Sequence, residues 1–179
     1  SRLDGRPVIY VSLGTLIFGK SDFYERCMAA LGDYPAQVLM SVGRGTDLSR
    51  FADAPENFIV AQSFPQLDVL QRAAMFISPA GLNSVHEALW YGVPMVAVPQ
   101  HFAQLHHAEA MDAGGAGITL TDETHGGTVS AVRRREAVET IAADLAGYKQ
   151  RAAALGETLR EGGGYVEAAN RIEKMIGRK

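Results

Sequence analysis

The chain has 179 residues, 47% of them apolar and 21% charged, with a formal net charge of −3. At about 150 residues per domain this is one domain with a surplus, residues 1–179 with a helical C-terminal extension from about 147 to 179, and it is too apolar to be disordered. The charge balance offers no basic surface for nucleic acid, one cysteine (Cys27) excludes a disulfide framework or a Cys-based zinc cluster, and no apolar run nears the ~20 residues of a transmembrane segment.

The opening Ser-Arg-Leu-Asp-Gly-Arg-Pro has no apolar h-region and no initiator Met, so it reads as a cut within a longer chain or as a tag scar, and a cytoplasmic location is expected. Short β-branched runs then alternate with helical stretches. Strands are predicted over 7–13, 36–42, 57–61, 74–78, 94–98 and 116–120. Several are near-continuous apolar runs, the mark of parallel strands covered on both faces. Between them Phe23, Cys27, Ala30, Leu31 and Tyr34 share one helix face, and Cys27 reads as a packed core thiol.

After Leu120 the pattern gives a loop, marked by Gly126-Gly127, and then helix from about Ser130 through Val138, Ile141 and Leu145. Arg133-Arg134-Arg135 reads as a solvated helix face. Gly162-Gly-Gly164 separates a last amphipathic piece carrying Tyr165, Ala169, Ile172 and Ile176. The expected fold is α/β: a Rossmann-like parallel sheet of about six strands with helices on both faces.

In such a sheet ligands bind at the carboxyl ends of the strands. The first strand ends in Ser12-Leu-Gly14-Thr15, either an ordinary turn or a place where Thr15 holds a phosphate oxygen. Neither the dinucleotide fingerprint nor a P-loop is present. The fourth strand runs into Ser78-Pro79-Ala-Gly81-Leu-Asn83-Ser84-Val-His-Glu87. With Asn83 or Ser84 as N-cap, Ser84 and Glu87 make a capping box that needs no ligand. The same helix start would aim free N–H groups at an anion, with Gly81 leaving room for a diphosphate. After the fifth strand Gln100 and Gln104 are candidates for sugar hydroxyls. His101, His106 and His107 have no helical i,i+4 pairing and no acidic neighbour before Glu109, so no metal site is expected.

Together, Pro65-Gln66, Gly81-x-Asn83-Ser84-x-x-Glu87-Ala-Leu, Gly92-Val-Pro-Met-Val, Pro99 and Gln104 resemble the donor-binding signature of inverting GT-B glycosyltransferases. The resemblance is to the nucleotide-sugar-dependent kind found among bacterial macrolide glycosyltransferases and the UDP-glucosyl- and glucuronosyltransferases, and it covers nearly the whole chain. It implies the C-terminal, donor-binding half of an enzyme that moves a sugar from a UDP- or dTDP-sugar to a small-molecule hydroxyl acceptor. An N-terminal acceptor-binding domain, missing here, would carry the catalytic base, so no catalytic residue is expected on this chain and the isolated domain is expected to be inactive. Thr15 would lie near the diphosphate, Gln66 and Glu87 would contact the ribose, Gly81, Asn83 and Ser84 would form the phosphate loop, and Gln104 would meet the sugar. No cofactor and no metal are implied, the helix N-terminus taking the leaving-group charge.

Four positions depart from that signature. Ser63 stands where an aromatic usually stacks on the base, Pro79 where a His usually meets phosphate, Ala103 where an acidic residue usually precedes the glutamine, and His107 where an Asn often stands. Each lost charge-assisted contact typically costs about 1.5–3 kcal/mol, or roughly 10- to 100-fold in affinity. Alternative readings are a non-catalytic glycosyltransferase-like binding domain, a related lipid-linked-sugar transferase and a sugar-nucleotide epimerase of similar fold. A nicotinamide-dependent oxidoreductase is disfavoured by the missing glycine fingerprint.

Overall fold

The computed structural model describes residues 3–14 and 21–177. Six strands form one parallel sheet: β1 (Val8–Ser12), β2 (Gln37–Ser41), β3 (Phe58–Ala61), β4 (Ala73–Ser78), β5 (Met95–Ala97) and β6 (Gly117–Thr119). Their order is β3-β2-β1-β4-β5-β6. The strand order reverses between β1 and β4, and a doubly wound sheet opens its crevice there. The six strands and the α/β class are as the sequence predicts.

Alternation along the strands builds two cores. In β1, Ile9 and Val11 face one side, and Val8 and Tyr10 face the other. The first side is covered by α1 (Ser21–Leu31) and α5 (Ala131–Ala143), through Phe23, Cys27, Val138 and Ile141. Cys27 is fully buried, and burial pushes its thiol pKa up. The second side is covered by α2 (Gln66–Leu70), α3 (Leu82–Trp90), α4 (Phe102–Ala113) and α6 (Leu145–Glu161). Tyr10 stacks on Phe76 of β4, with ring centroids 4.9 Å apart. Helices α3 and α6 meet closely at Gly156, where a Cβ would stand 2.2 Å from the Leu89 carbonyl oxygen.

Two expectations change, and a third element meets its predicted form without being covered. Arg134 is not on a solvated face. It is completely buried, its guanidinium lies 4.3 Å from the centroid of the Phe23 ring, and it pairs with Glu123 at 2.7 Å. The segment after Leu120 is not plain loop but holds a 3-10 turn, Asp122–His125, closed at Gly126 by a positive φ of 77°. The last amphipathic piece is a helix, α7 (Gly164–Ile176), yet none of its residues is buried, and Tyr165 is 87% exposed.

Candidate functional site

Strands β1 and β4 end alike. Ser12 Oγ accepts the Gly14 N–H at 3.1 Å, and Ser78 Oγ accepts the Ala80 N–H at 3.3 Å. Each serine thus turns the chain away from its strand within two residues. Gly14 has φ 78°, which glycine adopts freely. Ala80 has φ 61° and is fully buried, so a non-glycine residue is held in the left-handed region beside the cleft. Such a conformation costs roughly 1–2 kcal/mol and persists only where the surroundings impose it. Thr15 lies outside the described residues.

Between these turns opens a cleft of about 980 Å³ at the carboxyl ends of the strands. That volume is at the top of the range of small-molecule sites. Of the residues singled out from the sequence, Ser63 and Gln66 line it from the β3 side. Pro79, Gly81, Asn83, Ser84 and Glu87 line it from the β4–α3 side, and Gln104 from the start of α4. The structure therefore brings together every one of these residues that it describes.

The expected capping box is not formed. Helix α3 begins at Leu82, with Gly81 as N-cap in extended geometry (φ −60°, ψ 148°) and no side-chain cap. Asn83 and Ser84 are second and third in the helix, and Glu87 lies further in. Among the described residues nothing accepts the N–H groups of Leu82, Asn83 or Ser84. Glu87 is engaged elsewhere: its Oε2 accepts the Gln66 Nε2 hydrogen bond at 2.7 Å. The two residues, 21 apart in sequence, meet across the cleft wall.

Gln104 is also partly committed. Its Oε1 accepts the backbone N–H of Gln100 at 2.8 Å and of His101 at 3.2 Å, so it caps its own helix. Gln100 is turned inward, donating to the Val98 carbonyl at 3.0 Å and to Glu123. It does not line the cleft, contrary to its expected place beside sugar hydroxyls.

The cleft also takes in residues that the sequence reading passed over. Tyr10 and Ser41 line it, as do Arg44 and Gln62 at the ends of β2 and β3, and Ser12 of the β1 turn joins them. Burial pushes the Tyr10 phenol above its ordinary range, and the Glu87 carboxylate adds to the shift. The signal for Arg44 and Gln62 was available: both follow apolar strands at the carboxyl edge, where Ser41-Val-Gly-Arg44 and Ala61-Gln62 needed the same scrutiny as β1, β4 and β5. Arg44 and Glu87 are the charged side chains of the lining among the described residues. Among those residues no group of three or more His, Cys, Asp or Glu side chains is arranged for a metal ion. None of the described helices is long and apolar enough to cross a membrane.

The family model described as "UDP-glucoronosyl and UDP-glucosyl transferase" matches residues 4–159. The chain belongs to this family. It is 39% identical over 173 residues to the NDP-glycosyltransferase YjiC of Bacillus subtilis, covering 97% of this chain and 43% of that protein. Among solved structures, the glycosyltransferase of kitacinnamycin matches with a TM-score of 0.86 at 32% identity, and CalG4, the calicheamicin glycosyltransferase, with 0.85 at 30%. Each match covers 97% of this chain and 44% of the other. The chain thus spans less than half the length of the relatives it matches, which are GT-B glycosyltransferases. Within this family the cleft is the natural place to look for the site.

Proposed function

We propose that this chain is the nucleotide-sugar donor half of an inverting glycosyltransferase. The observation that carries the reading is the uncapped start of α3, facing the cleft beside the Gln66–Glu87 pair. Three unaccepted N–H groups and the positive end of the helix dipole favour a diphosphate. Among the described residues no atom lies within 4 Å of where a Gly81 Cβ would stand, so a ligand can approach its backbone. Glu87 accepts hydrogen bonds from a ribose diol, with Gln66 holding the carboxylate in place. Ser63, Gln62 and Arg44 flank the end of the cleft left for the base. Gln104, with its oxygen committed to its own helix, offers its NH₂ to the sugar.

In the reaction an acceptor hydroxyl oxygen bonds to the anomeric carbon as the bond from that carbon to the diphosphate oxygen breaks. The nucleoside diphosphate leaves with the electron pair, and the hydroxyl proton passes to a base on the acceptor-binding half. The α3 N-terminus stabilises the negative charge that develops on the leaving group, in place of a metal ion. With the base and half the cleft elsewhere, this chain binds donor but does not turn it over. Pro79 and Ala103 favour a second reading, a glycosyltransferase-like domain that no longer binds donor. Pro79 has neither an N–H nor a side-chain donor to give a phosphate.

Calorimetric titration with UDP, dTDP and UDP-glucose, with and without magnesium, separates the two. The proposal expects micromolar to low-millimolar binding of a nucleoside diphosphate, unchanged by magnesium. No heat at millimolar ligand, with the protein folded by circular dichroism, overturns it in favour of the second reading.

A further inference from the structure

A buried polar chain runs from the α1–α5 core to the lip of the cleft. Arg134 is fully buried, and each arm of its guanidinium is engaged: Nη2 with Glu123 Oε1 at 2.7 Å, Nη1 with Cys27 Sγ at 3.5 Å, and Nε with the Val129 carbonyl at 3.4 Å. The Glu123 side chain is only 8% exposed. Its second oxygen accepts from Gln100 Nε2. Gln100 in turn gives its backbone N–H to Gln104 Oε1. Both partners of Gln100 Nε2, the Val98 carbonyl and the Glu123 carboxylate, are acceptors only, which fixes the orientation of its amide. Its Oε1 is then left buried without a partner among the described residues.

An ion pair this deep is weak support for stability, because desolvation offsets the attraction. Leaving a buried carbonyl unpaired adds to that cost. The Gln104 amide is turned by two backbone N–H groups, those of Gln100 and His101, and the arrangement instead holds in place the residue that supplies one of them. With Oε1 held by the Gln100 and His101 N–H groups, only the NH₂ end remains for a ligand. We infer that Glu123, anchored by Arg134 and acting through Gln100, is a positioning residue for Gln104, setting it to donate to an oxygen of the donor sugar. The inference rests on the donor-binding reading.

The test compares the affinity for a nucleoside diphosphate with that for the same nucleotide carrying glucose, UDP against UDP-glucose and dTDP against dTDP-glucose. The ratio isolates the sugar contact. Gln104→Ala should lower the preference for the sugar nucleotide about 3- to 10-fold while leaving UDP or dTDP affinity unchanged. Gln100→Met, of similar size but with no amide, cuts the link to Glu123 while keeping the backbone N–H at position 100, and should lower the ratio in the same direction by a smaller factor, about 2- to 3-fold. In the Gln104→Ala background it should add nothing, since both act through one contact. Glu123→Gln should do the same where it folds; Gln100→Met leaves the ion pair intact and decides the matter where it does not. A merely structural role for Gln100 would change both affinities together. An unchanged ratio in Gln100→Met, or effects that add in the double variant, overturns the assignment while UDP binding still stands. Failure of the unmodified protein to bind any of the four ligands removes the donor reading and this assignment with it.

Discussion

Helices α3 and α4 start one strand apart on the same edge of the sheet, and they start differently. Each follows a buried parallel strand, and each has a polar residue at its third position, Ser84 in α3 and Gln104 in α4. Gln104 is long enough to fold back on the two N–H groups that lead into its helix. Ser84 is not, and Gly81 has no side chain to help, so α3 starts without a side-chain cap. That contact ties down the chain entering α4, although the N–H groups of Phe102 and Ala103 have no acceptor among the described residues. No such contact holds the entry to α3, and its start, turned into a large cleft, leaves its donors to solvent or to a ligand. The difference teaches that on this edge function is marked less by which polar residues are present than by which of them are already spoken for.

The comparison breaks first if α3 is moved. Gly156→Ala would drive a methyl group into the Leu89 carbonyl, 2.2 Å from the ideal Cβ position, at the back of α3. Backbone cannot yield as a flexible side chain can, so the cost falls at the upper end for overpacking, about 3 kcal/mol. For a domain of this size that lowers Tm by roughly 6–12 °C in a thermal melt. Any residual folded protein should bind nucleotide more weakly, because α3 carries the open N-terminus. Next in size is Glu87→Ala, which removes the charged acceptor beside that N-terminus. The expectation is a loss of about 2 kcal/mol in nucleoside diphosphate binding, roughly 30-fold in Kd by calorimetry. Equal binding by Glu87→Ala and the unmodified protein would remove the carboxylate from the site.

Much of this was legible beforehand, and the illegible remainder has physical causes. Strand positions follow from local composition, because a buried parallel strand must be apolar throughout, as Val8–Val11 is. The rule that strand ends carry ligands led to Gly81, Asn83, Ser84, Glu87 and Gln104, while Ser63 and Gln66 came only from the resemblance to the glycosyltransferase signature. The capping box failed because sequence spacing cannot tell where a helix starts by one turn: Ser84 and Glu87 have the right interval but sit inside α3, and Glu87 has a better partner in Gln66. Arg134 was misplaced because its burial depends on Phe23 and Cys27, over a hundred residues away, which no local window contains. For α7 the periodicity gave the helix but not its surroundings, since an amphipathic face looks the same whether or not it is covered.

A smaller effect comes from making the two helix starts alike. Ser84→Gln places at the third position of α3 the side chain that closes α4. As Gln104 does with His101, it should reach back to the Gly81 N–H, and its side chain would then stand across the Leu82 and Asn83 N–H groups that a diphosphate needs. Nucleotide affinity is expected to fall about tenfold, the worth of roughly one good hydrogen bond to a charged group. Thermal stability should rise instead, by about 0.5–1 kcal/mol, as a completed cap does. Opposite signs in the two measurements would mark the α3 N-terminus as left open at a cost to stability. A fall in both would mean only that glutamine does not fit.

The smallest expected change is a gain. Pro79 is buried at the cleft between Ser78 and the strained Ala80, and it brings no donor to the turn. Pro79→His restores both a backbone N–H and an imidazole N–H beside the open end of α3. One added hydrogen bond to a diphosphate, discounted for the cost of fitting a larger polar ring into a tight turn, should strengthen binding about 3- to 10-fold. The gain should shrink as pH rises through the ordinary histidine range, because an imidazolium attracts phosphate more strongly than a neutral ring. Titrations at pH 6 and pH 8 check this directly. A gain at both, larger at pH 6, places the added ring against the phosphates. No gain at either means that the turn after β4, held by Ser78 and Ala80, does not aim its second residue into the cleft, and that α3 alone would have to bind the diphosphate.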